Sequence, residues 1–344
     1  MSASHEIEPP KAASRASVFD PEPFIPRAPW WSGDLQTMRN VLTRRPADLS
    51  PWPGARLSLP MADDSGDRLA AMRHATDDTP DRPLAVLIHG LTGCEDSSYI
   101  RATARHLLRN GVPVLRLNLR GAGPSRPLCR FQYHAGRSED LRDALTALLH
   151  DDPGLRDRGL VLIGYSLGAN MLIKFLAEHG DAFPIRAAAA VSAPVDLKAT
   201  QERMMALRNR VYHHYLLTRM KAEAVGGAAE VSEAERAALL AAKTIYAIDD
   251  RFIAPRNGFD GAADYYRRCS ARQFLTDVPV PTLVIHGLDD PWIPAAPYLD
   301  TDWSRLPRIT ALLPAHGGHV GFHGRGSAVP WHDCCILGFL RGKI

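Results

Sequence analysis

Three groups of residues in this chain have the types and order needed for acyl transfer. Gly164-Tyr165-Ser166-Leu167-Gly168 follows the apolar run Leu160 to Gly164 and opens a helical pattern, the setting that a G-x-S-x-G nucleophile elbow requires. A serine on so tight a turn is strained, and side chains two positions away on either side would collide, so glycine is expected at both. A serine hydroxyl is a weak nucleophile until an imidazole takes its proton, and that imidazole needs a carboxylate to fix its tautomer. Both follow in chain order: Asp289-Asp290-Pro291 after one apolar run and His316-Gly317-Gly318-His319 after the next.

Asp290 is preferred as the acid because Pro291 restricts its backbone to an extended form, and Asp289 is the alternative. His319 is preferred as the base, between Gly318 and Gly321 in a loop able to approach Ser166, with His316 left at the surface or supporting the site from outside. Charge developing on a substrate carbonyl oxygen calls for backbone donors. The amide of Leu167, directly after the serine, is one, and the amide of Leu91 in His89-Gly90-Leu91-Thr92-Gly93 is the second. His89 is read as a loop anchor. A base at His319 must be neutral, so turnover should rise with pH as the imidazole loses its proton.

These groups need a frame. From about Arg82, short apolar runs alternate with helical patterns, as when crossover helices link parallel strands. The expected strands are Leu84 to His89, Val112 to Leu119, Leu160 to Gly164, Ile185 to Val191, Pro281 to His286 and Ile309 to Leu313, mostly continuous apolar runs that suit burial on both faces. Ser138 is expected to cap a helix with Leu141, Ala144, Leu145, Leu148 and Leu149 on one stripe, and Leu167 to His179 forms another that stops on a left-handed Gly180. The class is α/β, a mostly parallel central sheet with flanking helices and an inserted helical cap. Its expected divisions are an extended arm over 1–50, core over 51–196, cap over 197–270 and core over 271–344. In the cap one helix should place Met204, Leu207, Val211 and Tyr215 on one side, and Met204, Met205 and Met220 are candidates to line an acyl channel, with cap-to-core packing an equal reading.

Composition narrows the function. The 344 residues are 45% apolar and 23% charged, a balance that excludes a disordered or fibrous chain. Forty-one basic against 38 acidic side chains leave a formal +3, too little to hold nucleic acid or an anionic membrane by overall charge. The five cysteines are scattered without a C-x-x-C pair, which suits a reduced compartment, and the Pro-rich N-terminus has no apolar leader pattern, so a cytoplasmic protein with no integral membrane segment is expected. Tyr212-His213-His214-Tyr215 lacks a completing carboxylate, H-E-x-x-H is absent, and no phosphate or dinucleotide loop occurs, so no metal or cofactor is expected.

With these residues in view, the chain resembles the α/β-hydrolase superfamily and, within it, the YheT-like hydrolases, which include eukaryotic phospholipase and medium-chain ester acyltransferase relatives. The resemblance runs through Pro29-Trp30, Asp34-Leu35-Gln36-Thr37, His89 to Gly93, Asn118-Leu119-Arg120-Gly121, Tyr133-His134-Ala135-Gly136 and Gly164 to Asn170. It continues through Asp249-Asp250-Arg251-Phe252, Ala254-Pro255, Asp264-Tyr265-Tyr266, Asp289-Asp290-Pro291 and Gly317 to Phe322. Asp34 stands where the family pattern has histidine, which touches only the packing of the arm. The expected function is hydrolysis of short- to medium-chain carboxylic esters, a small-molecule substrate class. Acyl transfer to an alcohol and a non-catalytic ligand-binding role are the alternatives.

Overall fold

The computed structural model describes residues 19–43, 46–76, 81–226 and 228–343; the arm segment 1–18 lies outside the described residues. Among the described residues, eight strands form one sheet in the order β1-β2-β4-β3-β5-β6-β7-β8. They are β1 Gly54–Pro60, β2 Arg68–His74, β3 Leu84–Ile88, β4 Val114–Leu117, β5 Leu160–Tyr165, β6 Ile185–Val191, β7 Thr282–Ile285 and β8 Ile309–Leu312. The first two pair antiparallel at one edge, and β4 through β8 with β3 are parallel.

Alternation along the strands sends side chains to two cores. Leu84, Val86, Ile88, Leu160 and Leu162 meet one, and Ala85, Leu87, Val161, Ile163 and Tyr165 meet the other. Helix α1 is Gly33–Thr43, and α2 Ser98–Arg109 covers the second core. The first core is covered by α3 Ser138–Asp151, the short α4 Leu155–Arg158 and α5 Leu167–His179. Between β6 and β7 come α6 Leu197–Met205, α7 Arg210–Val225, α8 Glu233–Ala241, α9 Ile245–Ile248, α10 Ala254–Arg256 and α11 Ala262–Cys269, with a π-turn over Asp249–Ile253. After β7, α12 Ala296–Leu299 precedes β8, and α13 Trp331–Leu340 closes the second core. Among the described residues no helix is long and apolar enough to cross a membrane.

Several local expectations are corrected. The arm is not extended throughout: α1 lies within it, while Phe19 packs on Phe339 and Phe24 on Phe322 and Trp331. Ser138 begins α3 rather than capping it, and its hydroxyl turns to Glu178 and Lys174. Gly180 is right-handed (φ −57°, ψ −36°) and leads into a further turn. The helix expected through Met204 to Tyr215 is broken at Ala206, whose ψ of 146° separates α6 from the turn that starts α7. Met204 is therefore buried, whereas Met205, Leu207, Val211 and Tyr215 are exposed.

The candidate active site

The chain continues from β3 to β4 on one side and later to β5 on the other, so the loops after β3 and β5 border the crevice where open α/β sheets collect ligands. Ser166 sits directly after β5 with φ 52° and ψ −124°, outside the left-handed helical well and strained for a non-glycine residue. The flanking glycines are sterically required. A Cβ on Gly164 would lie 2.7 Å from the Ala169 Cα, and one on Gly168 would run into the His89 carbonyl. Gly90 has the same role across the crevice, since a Cβ there would come within 2.8 Å of the Ser166 Cβ.

The loops after β7 and β8 bring Asp290 and His319 to the same point. His319 Nε2 is 2.9 Å from Ser166 Oγ, and Nδ1 is 2.8 Å from Asp290 Oδ2. An imidazole that donates Nδ1–H to the carboxylate leaves Nε2 to accept the serine proton. The other Asp290 oxygen accepts from the amides of Trp292 at 2.8 Å and Ile293 at 3.1 Å. Burial opposes ionisation of this carboxyl, but the charge and hydrogen bond of His319, with His286 and the Ile293 amide, outweigh it and hold Asp290 below the usual carboxylate range. Asp289 goes elsewhere: Oδ1 accepts from the Gly318 amide at 2.9 Å and Oδ2 lies 3.2 Å from Nδ1 of the half-exposed His316.

Leu167 and Leu91, the residues expected to supply oxyanion donors, both lie beside the cavity at Ser166. Leu167 opens α5, where an amide has no intrahelical acceptor. Leu91 borders the same cavity as Ser166 and His319. His89 anchors this loop, with Nε2 accepting from the Leu119 amide at 3.0 Å and Nδ1 donating to the Gly90 carbonyl at 2.8 Å. Thr92, next to Leu91, has φ 56° and is held from two sides. Its amide donates to the Tyr133 hydroxyl at 2.7 Å, which donates to Glu223 of α7 at 3.0 Å. Arg219 of α7 donates to Thr92 Oγ1 at 3.2 Å and to its carbonyl at 2.9 Å. Burial pushes Glu223 up to about 7.

Other supporting residues escaped the reading of the sequence. Thr37 of α1 accepts the His319 amide at 2.8 Å and donates to the Gly33 carbonyl at 2.7 Å, and Ser192 Oγ accepts the Val320 amide at 3.2 Å. Trp292 stacks on His319 with ring centroids 4.3 Å apart. The string Leu35-Gln36-Thr37 and the Trp after Asp290-Pro291 were visible, but nothing local to them assigns these contacts. Asp34 links α1 to α7, pairing with Arg208 at 2.9 Å and accepting from Tyr212 at 3.0 Å.

Two hollows meet at Ser166. One, about 130 Å³, is walled by Leu91, Leu167, Met204, Leu216, Met220 and Ile245, with buried Asp249 and Tyr266 also on its lining. Met204 and Met220 are among its lining residues, and Met205 is not. Burial pushes Asp249 up to about 7, and its Oδ2 accepts from the Tyr266 hydroxyl at 2.6 Å. The other hollow is a groove between α1 and α7, bordered by Val41, Val211, Tyr215 and Arg219.

A family model described as alpha/beta hydrolase fold matches residues 83–325. YheT of Escherichia coli (strain K12) is 33% identical over 88% of this chain and 87% of its own length. The Saccharomyces cerevisiae protein named medium-chain fatty acid ethyl ester synthase/esterase 2 is 30% identical over 70% of this chain and 58% of that protein. Among solved structures, the Pyrococcus furiosus esterase Pf2001 superposes with a TM-score of 0.60 at 16% identity, covering 94% of this chain and 99% of that one, a likeness of fold. With the strand order, the loop positions and these matches in agreement, the chain belongs to the α/β-hydrolase family, in its YheT-like branch.

Proposed function

We propose that this chain cleaves carboxylic esters through an acyl-enzyme on Ser166. The observation that carries the reading is the unbroken relay from Ser166 Oγ to His319 Nε2 at 2.9 Å and from His319 Nδ1 to Asp290 at 2.8 Å. Ser166 Oγ attacks the ester carbonyl as His319 takes its proton, and the amides of Leu91 and Leu167 receive the oxyanion. Collapse breaks the bond to the alcohol oxygen, which leaves with the proton from His319. Water then attacks the acyl-serine with the same base, releasing the acid and restoring Ser166.

The acyl group takes the apolar hollow and the alcohol takes the groove between α1 and α7, which suits short- to medium-chain esters. Residues 197–270 act as a cap over core segments 51–196 and 271–344. Relatives named for ester chemistry support the activity, the yeast synthase/esterase and a yeast monoacylglycerol lipase among them. Turnover of p-nitrophenyl esters from acetate to laurate tests this. Rates should peak at one chain length and vanish in Ser166→Ala; full turnover in that variant would overturn the assignment. The open groove beside Ser166 also admits a second alcohol, which favours acyl transfer as a companion reaction. Added ethanol should then divert product from free acid to ethyl ester.

A further inference from the structure

Leu207, Val211 and Tyr215 recur every four residues, the spacing of a helix face that ordinarily meets a core. Here they are 83%, 78% and 41% exposed. On neighbouring α1, Leu35 and Leu42 share a face seven residues apart at 39% and 60% exposure, and Val41 is 41% exposed. The Asp34 contacts to Arg208 and Tyr212 hold the two helices side by side, and Val41, Val211 and Tyr215 border the groove that reaches Ser166. The two helices that rim the mouth of the site therefore expose six large apolar side chains between them, which a soluble surface rarely carries without a partner.

Its charge identifies that partner. From Met204 to Ala222 the chain has Arg208, Arg210, Arg219 and Lys221 and no acidic residue. Among the described residues Arg210 has no ion pair or hydrogen bond from its side chain, and Arg219 lies over the Tyr215 ring at 5.5 Å. Asp34, on the α1 side of this rim, is taken up by Arg208. A second copy would bring two basic rims together, whereas an anionic lipid surface offers both apolar depth and opposite charge.

We infer that the α1–α7 rim docks on an anionic lipid surface, with Leu42, Leu207 and Val211 entering the apolar layer and Arg210 meeting head groups. Substrate entry from that surface rests on the groove assignment proposed above; the docking itself does not. Co-sedimentation of the full chain with phosphatidylcholine vesicles, with and without phosphatidylglycerol, tests it. The chain should bind the phosphatidylglycerol vesicles, and binding should weaken about tenfold or more in Leu42→Ser/Leu207→Ser. Arg210→Glu should weaken it further and leave it less sensitive to salt, while turnover of a soluble short-chain ester stays unchanged in these variants. Ser166→Ala should bind like the parent chain, which separates this test from the catalytic reading. Absence of vesicle binding, or binding untouched by the double substitution, would overturn the inference. So would a parent dimer in solution that the double substitution converts to monomer, since the rim would then join two copies.

Discussion

At the scale of single residues, the geometry ranks the two neighbouring aspartates. Asp290→Asn should lower kcat about 10³- to 10⁴-fold, because the amide no longer orients and stabilises the charged imidazole. Asp289→Asn should cost far less, since Asp289 braces Gly318 and His316. Steady-state kinetics on one soluble ester checks both, and the reverse ranking would move the acid to Asp289. Ser166, Asp290 and His319 were legible because each lies just beyond a strand that its own apolar run announces. Thr37 and Trp292 were not, because their relevance depends on contacts made across 282 positions of sequence or by ring stacking. Thr37→Val should lower kcat about tenfold and cost about 1–3 kcal/mol of stability in urea unfolding, as the buried His319 amide loses its acceptor.

At the scale of elements, α7 is tied to the loop that carries the Leu91 amide. Tyr133 joins Glu223 to the Thr92 amide, and Arg219 grips Thr92 directly. Tyr133→Phe leaves a part-buried amide without its partner, a loss of about 1–2 kcal/mol at the loop. The expected result is a fall in kcat of about tenfold with KM nearly unchanged; a change confined to KM would mean that Tyr133 only shapes the hollow. A second tie holds the antiparallel edge to α3: buried Arg120 pairs with Asp63, Asp67 and Asp140 at 2.9, 3.0 and 2.7 Å. Arg120→Met removes the buried charge that these carboxylates share, leaving Arg137 on Asp63 and Asp140 and only backbone amides on Asp67, and should destabilise the fold by about 3–5 kcal/mol in urea unfolding. The parallel strands could be read from their continuous apolar runs, but β1 and β2 could not. β1 is a largely exposed edge and β2 carries Arg68, Arg73 and His74, so neither has the signature of a strand buried on both faces. The break at Ala206 was hidden for a related reason: Leu207, Val211 and Tyr215 keep helical spacing even though their stripe faces solvent.

At the scale of the whole molecule, the two cores close around carboxyls that the reaction does not use. Asp333 on α13 accepts from Thr103 at 2.6 Å, and burial pushes it up from 3.8 to about 7. His332, lowered by burial to about 3, is neutral beside it, so their 3.3 Å approach is not an ion pair. A raised carboxyl keeps its proton in the folded chain where the unfolded chain has lost it. The stability that Asp333 contributes therefore declines as pH rises from about 4 to about 7, and the contributions of Asp249 and Glu223 run in the same direction. Asp333→Asn removes one share of that decline, so its Tm should gain on the parent chain between about pH 5 and pH 8. A constant Tm difference across that range would mean that Asp333 is ionised throughout. Such buried polar sites were illegible in sequence, where Asp333 is one acid in an apolar helix, whereas the fold class was legible because alternation of strands and helices is a property of the chain as a whole.

Ser166 as the nucleophile can be read out with a fluorophosphonate probe, which reacts with an activated serine. Peptide mass spectrometry of the labelled chain should find one adduct, on Ser166, formed in step with loss of ester turnover. Folded protein that takes no adduct there, or that keeps its turnover after Ser166 is labelled, would rule out Ser166 as the nucleophile.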